Sequence, residues 1–313
     1  MIPYFTFAAE NQVVSGSPAY LESIQRLFIQ DQSGGLIEVC VSPDEYWIYL
    51  YQEGRLLQAY QVQEDQAQPL LAGRLPPEGA GDIQIRYLAL PSQALRAVWQ
   101  ALEWYPPLRA VRIDSLGWPA YLEALRVERV SGLLQVALPG QDGFLGLAEG
   151  IPLNSETVLA GARGFVDSLP AQVTRGGACE AWWYEPHSGT LTASLARLRL
   201  AGLAWVQASI AGYQRLVGAT LVTQLNNAAN TWLRQHRYNM RLVGASVFDH
   251  HLFSGHTQAA LAYHGLLGYL HQHFAQVIGD QLAGRALAEA FRRLKPAEQA
   301  ELQAAGLGPD TVK

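Results

Sequence analysis

The sequence predicts an α+β protein: two tandem antiparallel-sheet modules with short helices, followed by a mainly helical C-terminal region. Three observations lead there. The first is a repeat. From Tyr20 the chain reads Tyr-Leu-Glu-Ser, an apolar run, Ser33-Gly34-Gly35-Leu36, an alternating stretch and Glu53-Gly54-Arg55-Leu56. From Tyr121 it reads Tyr-Leu-Glu-Ala, a shorter apolar run, Ser131-Gly132-Leu133, another alternating stretch and Glu149-Gly150-Ile151-Pro152. Gly35 precedes Gly54 by 19 residues and Gly132 precedes Gly150 by 18, so the punctuation survives where side chains drift, as in two copies of one small domain. The second is period-two alternation inside each copy, the mark of half-buried strands. The third is a change of period: from Thr192 to Arg237 no proline occurs and apolar residues take helical spacing. The expected domains are 1–108, 109–190 and 191–313.

The first copy starts near Ala19 with a short amphipathic helix whose apolar positions are Leu21, Ile24, Leu27 and Phe28. Asp31-Gln-Ser-Gly-Gly stops it, with Gly34 or Gly35 free to take positive φ. Leu36 to Val41, Tyr46 to Tyr51 and Arg55 to Tyr60 read as three strands joined by Ser42-Pro-Asp-Glu and Glu53-Gly54. Gln61 to Gln68 reads as an exposed loop or cap, Ile83 to Tyr87 as a further strand, and Pro91-Ser92 as the start of a closing helix ended by Pro106-Pro107. The second copy follows the same order: a helix over 121–130, strands at Leu133 to Leu138 and Phe144 to Ala148, and a late strand from Ala178 to Tyr184. Leu159-Ala-Gly161-Ala-Arg163 echoes Leu71-Ala-Gly73-Arg74, and Pro186-His-Ser188 opens the next helix. Beyond it, one helix of about 45 residues would be long for a globular core, so Gly202, Gly212 and Gly218 are either break points or places of close helix approach. Asn239 to Phe248 reads as a hairpin turning at Gly244, and 257–278 and 281–294 as helices divided near Gly279-Asp280. Pro296 suits a first helical position, with Gly306 as the stop.

Composition narrows the classes. Of 313 residues, 49% are hydrophobic and 16% charged, which excludes a disordered chain. A net charge of −5 gives no electrostatic footprint for nucleic acid. The charge is uneven: residues 1–204 carry 13 Lys/Arg against 21 Asp/Glu, and residues 205–313 carry 9 against 6. No apolar run approaches the roughly 20 residues that span a bilayer, and Met1-Ile-Pro-Tyr-Phe-Thr-Phe lacks an export signature. Cys40 and Cys179 have no C-x-x-C partner and read as buried thiols of a reducing compartment. The expectation is a cytoplasmic protein with no membrane and no nucleic-acid partner.

Seven of the eight histidines lie between His236 and His273. Asp249, His250, His251 and His256, with His264 on the following helix, are the candidate metal ligands; helix caps, hydrogen bonds or an interface are the alternative use. Asp249 and His250 beside Ser246 or Ser254 sit too close in sequence for a hydrolase triad, and no G-x-S-x-G elbow occurs. Gly143-Phe-Leu-Gly146-Leu-Ala-Glu-Gly150 falls in a hairpin rather than at a strand-to-helix turn, so it is not a phosphate cradle. Tyr46, Trp47, Tyr49 and Tyr51, with Trp182, Trp183 and Tyr184, cannot all face one way on alternating strands. Tyr46, Trp47, Tyr49, Trp182 and Trp183 are therefore the candidate interaction surface, against packing between the modules. Asn226 and Asn230, one helical turn apart, either bond across to a neighbour or face solvent.

The apolar helix, Ser33-Gly34-Gly35-Leu36-Ile37, the aromatic strand Tyr46-Trp47-Ile48-Tyr49, Gly54-Arg55-Leu56-Leu57-Gln58-Ala59 and the later Ala72-Gly73 resemble the PATAN domain family, small modules that in bacteria are typically attached to response-regulator receivers and other signalling parts. Residues 121–185 resemble it as a second, divergent copy: Ile151 stands where Arg55 does, Ser155 where Ala59 does, and the first helix is shorter. The resemblance implies an adaptor role in signal transduction and carries over no catalytic residue or cofactor. The expected function is thus a non-enzymatic signalling adaptor that binds another signalling protein, with a homodimer formed through the helical region. A small-ligand or metal-binding regulator with its site among the histidines is the alternative.

Overall fold

Proline at a first helical turn and the apolar row Leu21, Ile24 and Phe28 make helix α1 (Pro18–Gln30), which follows a short strand β1 (Val13–Gly16). The computed structural model describes residues 13–42, 44–63, 66–71, 75–76, 83–105, 107–114, 117–138, 141–161 and 179–312. The sequence echo at residues 72–74 and 162–163 and the N-terminal heptapeptide lie outside them. The chain divides into two compact units, 1–187 and 188–313.

In the first unit, strands β2 (Gly35–Ser42), β3 (Glu45–Gln52), β4 (Arg55–Gln63), β5 (Gln66–Pro69) and β6 (Ile83–Ala89) precede helix α2 (Ser92–Glu103). Strand β7 (Arg109–Ile113), helix α3 (Trp118–Val127), strands β8 (Gly132–Leu138), β9 (Gln141–Ala148) and β10 (Ile151–Gly161), then β11 (Cys179–Tyr184) complete it. The first sheet runs β1-β6-β2-β3-β4-β5, and the second runs β7-β11-β8-β9-β10. Strand for strand this is one topology used twice, with β5 added at one edge, and every described pairing is antiparallel. The register matches too. Ile37 lies between Tyr49 and Tyr87, as Leu134 lies between Leu145 and Trp183.

The backbone punctuation is also duplicated. Glu53-Gly54 (φ 49° and 74°) and Glu149-Gly150 (φ 49° and 76°) form equivalent two-residue hairpin turns, whose paired positive φ matches the twist of the flanking strands. Helices α1 and α3 both end on a left-handed residue that is not glycine, Gln32 (φ 49°) and Arg129 (φ 52°). At each end the next amide reaches back, Ser33 N–H to Phe28 O at 3.0 Å and Val130 N–H to Leu125 O at 3.2 Å, closing a Schellman-type stop. The expected positive φ falls at Gly35 (158°), while the left-handed residue that stops the helix is Gln32. Gly35 and Gly132 serve another need: a Cβ on either would collide with a carbonyl oxygen of the neighbouring strand, Leu88 and Tyr184 respectively.

Strands β1 and β7 and the pairing of Gln61–Gln63 with Gln66–Gln68 depart from expectation. The glutamine-rich segment contributes a paired edge, β4 with β5, rather than a loop: its backbone pairs while Gln63, Gln66 and Gln68 reach water and Val62 is buried. Each sheet buries one face beneath its own helix. Leu21, Ile24 and Phe28 of α1 meet Ile37, Val39, Trp47, Tyr49 and Tyr51; Trp118 and Leu125 of α3 meet Leu134, Val136, Leu145, Leu147 and Trp183. Helix α2 touches β2 and β3 of the first sheet and β8 and β10 of the second. Its residues from Ala94 to Leu102 are all buried, as expected of a helix covered all round.

In the second unit the long helical stretch breaks at Gly218 into α4 (Leu191–Val217) and α5 (Ala219–Gln235). A small hairpin, β12 (Met240–Val243) and β13 (Ser246–Asp249), leads to α6 (His256–Ile278), α7 (Asp280–Arg292) and α8 (Pro296–Ala304). Helix α4 is the hub and packs on α5, α6, α7 and α8. Tyr213 stacks on Phe274 at 4.1 Å, and the Trp205 indole meets the Phe291 ring at 4.9 Å while donating to Leu287 O. Gly202 is a place of close approach, since the Tyr263 ring occupies the space of its missing Cβ.

Candidate functional site

The five aromatics expected to form an interaction surface do not form one. Trp47, Tyr49, Trp182 and Trp183 are 1%, 1%, 6% and 3% exposed, and Tyr46 is half-buried. Alternation sends Trp47 and Tyr49 beneath α1 and Trp183 beneath α3. The opposite faces are buried as well: Trp182 and Tyr184 in the second sheet, Ile48 and Leu50 in the first. A sheet covered on both sides takes up aromatics of either parity, so packing within the chain accounts for them.

One buried pair separates the two copies. Glu38 and Arg86, cross-strand neighbours in the first sheet, are buried and joined by an ion pair. Burial holds the Glu38 carboxyl above the ordinary glutamate value, outweighing the opposing pull of Arg86. The equivalent neighbours in the second sheet are Gln135 and Trp182, and there Tyr184 Oη donates to Gln135 Oε1 at 2.8 Å. The backbone was kept while the charge was not.

Among the candidate metal ligands, Asp249 is fully buried and already committed. Arg199 Nε donates to Oδ2 at 2.9 Å, Tyr263 Oη donates to the same oxygen at 2.7 Å, and the His251 amide donates to Oδ1 at 2.8 Å. Arg199 also donates to the Asp249 carbonyl at 2.8 Å. This carboxylate ties α4, α6 and β13 together. His251 is buried beside Tyr238 and Phe253, His256 lies 3.8 Å from Glu301, and His264 is exposed on α6. His250 stays with the hairpin, its amide donating to Asn239 O at 2.8 Å. Among the described residues no three His, Cys, Asp or Glu side chains gather to hold a metal ion. The five sequence candidates are therefore not one site: Asp249 and His251 are committed within the packing of the hairpin, His256 lies by Glu301, and His264 is exposed on α6.

Asn226 and Asn230 have a definite use. Asn230 brackets Leu242 of β12, donating to its carbonyl at 2.9 Å and accepting its amide at 2.8 Å, and Asn226 donates to Gly244 O at 3.1 Å. The pair fastens the hairpin to α5. Beside that clamp lies an open groove of about 640 Å³, lined by Gln224, Asn227, Thr231, Trp232, Gln235 and Tyr269. Its rings belong to a cluster centred on Trp232: Tyr269 stacks on it (5.4 Å), His236 lies against it (4.1 Å), and Tyr238 stands 6.0 Å from it and 6.3 Å from His236. Trp232 and His236 are one helical turn apart, but the full cluster is not legible in sequence because Tyr269 comes from another helix. A second groove, about 760 Å³, lies between α6, α7 and the C-terminal turn and includes His271, Asp280, Arg285 and Asp310.

The free cysteines are half-buried (Cys40) and buried (Cys179), and burial pushes the Cys179 thiol up. Among the described residues no helix is long and apolar enough to cross a membrane. Comparison with protein-family models, curated proteins and solved structures returned no match to this chain.

Proposed function

We propose that the chain is a non-enzymatic bacterial signalling adaptor of the cytoplasm, acting by protein–protein contact through PATAN-like modules and pairing through its helical unit. The observation that carries this reading is the twinned sheet. Turn geometry, helix stops and register are duplicated, yet the buried polar pair of one copy is replaced in the other. A module that works by contact has only to retain its shape, and shape is what the two copies share. Helix α1 also leaves Tyr20 and Leu27 exposed at 42% and 55%, seven positions apart and so on one face, as a partner-facing helix would.

Affinity capture with full-length protein, compared against Leu27→Asp, tests the adaptor reading. The expected result is a discrete partner held by the wild type and lost by the variant. Equal recovery by both would contradict a docking role for α1. Light scattering tests the pairing: a dimer mass at micromolar concentration is expected, and a monomer mass would remove that part of the proposal.

A further inference from the structure

We infer that the second unit carries a binding face for single-stranded nucleic acid along α5 and its junction with β12. The inference goes beyond the adaptor reading and stands without it. Its first support is charge. Residues 188–313 hold 11 Lys/Arg against 6 Asp/Glu, so the net −5 of the whole chain averages an acidic first unit with a basic second one. From residue 186 to 279 six arginines face a single acid, Asp249, and that acid is buried and paired with Arg199. Arg197 pairs with Glu301. Arg234, Arg237 and Arg241 are exposed at the end of α5 and the start of β12, with no carboxylate ion pair among the described residues.

The second support is the ring cluster whose residues Trp232, His236 and Tyr238 interleave with those arginines along the chain. Trp232 seats its indole over Gly265 of α6, where a Cβ would come within 3.1 Å of the ring. Tyr269, His236 and Tyr238 gather around it; Trp232, Tyr238 and Tyr269 are half-buried and His236 is exposed. Gln224, Asn227, Thr231 and Gln235 supply neutral donors and acceptors along the adjoining groove. Unpaired bases stack on such rings, base edges meet amides, and phosphates meet guanidinium groups. An acidic peptide without aromatic residues would use the arginines and leave the rings unused, and a duplex hides its base faces.

Fluorescence anisotropy of the full-length chain with a short labelled oligothymidine at low salt tests this. Saturable binding is expected, and Trp232→Ala should weaken it at least about tenfold, as the loss of one stacked base would. Trp232→Phe, which keeps a ring over Gly265, should stay within a few-fold of wild type. The surface pair Arg237→Gln and Arg241→Gln, which disturbs no packing, should flatten the slope of log affinity against log salt by about 0.7 per arginine. No saturable binding, a Trp232→Ala variant that folds and binds as wild type, or a polyglutamate peptide that competes at equal affinity would each overturn the inference.

Discussion

Single side chains fix the most specific features of this molecule, and Asn230 is the clearest. Its amide completes both hydrogen-bonding groups of Leu242, so β12, a four-residue strand, is held on its helix side as a third strand would hold it. Asn230→Ala strips both partners from half-buried backbone and is expected to cost about 1–3 kcal/mol, measured by urea unfolding. His273 gives a pH handle on the same unit. Partial burial holds its imidazole below the ordinary value of 6.5, so the folded state binds the proton less readily than the unfolded chain. The stability this represents is present above pH 6.5 and is lost as pH falls through the lowered folded value. Wild type should lose melting temperature over that acid range relative to His273→Gln; parallel curves for the two would contradict the assignment.

At the scale of elements, local chemistry was legible wherever it was self-sufficient. Glu53-Gly54 and Glu149-Gly150 announce their turns, Gly244 its hairpin, Gly279 its helix break and Pro296 its helix start. Elements that depend on a distant neighbour were not. Strands β1 and β7 have four and five residues, too few for a period, and exist because β6 and β11 offer edges. The aromatics were misassigned for a related reason: alternation shows that a strand has two faces, but not that helices cover both. The histidines cluster along the chain and scatter in space, while the ring cluster around Trp232 joins three neighbours in sequence, Trp232, His236 and Tyr238, to Tyr269 of another helix. Helix ends carry a test. A Cβ on Gly150 would meet the Arg126 Cα and the Leu125 carbonyl at φ 76°, so Gly150→Ala combines a collision with a left-handed backbone. A loss of about 1–3 kcal/mol is expected by thermal unfolding. Gly189→Ala, also at positive φ but with open space around it, should cost less.

At the scale of the whole molecule, one compact fold was used twice in the first unit and a helical assembly built around α4 makes the second. The two units carry opposite charge, which the composition of the whole chain conceals. Duplication leaves a quantitative trace: if the sheets share a register, a polar pair native to one should couple when moved to the other. The direct test is a double-mutant cycle with Gln135→Glu and Trp182→Arg, placing in the second sheet the pair that Glu38 and Arg86 form in the first. Each single change buries an unpaired charge, and the two together place opposite charges side by side. The account predicts a favourable coupling of about 2–3 kcal/mol between them in urea unfolding. Losses that simply add, within about 0.5 kcal/mol, would mean that these positions are not neighbours and that the sheets are not copies.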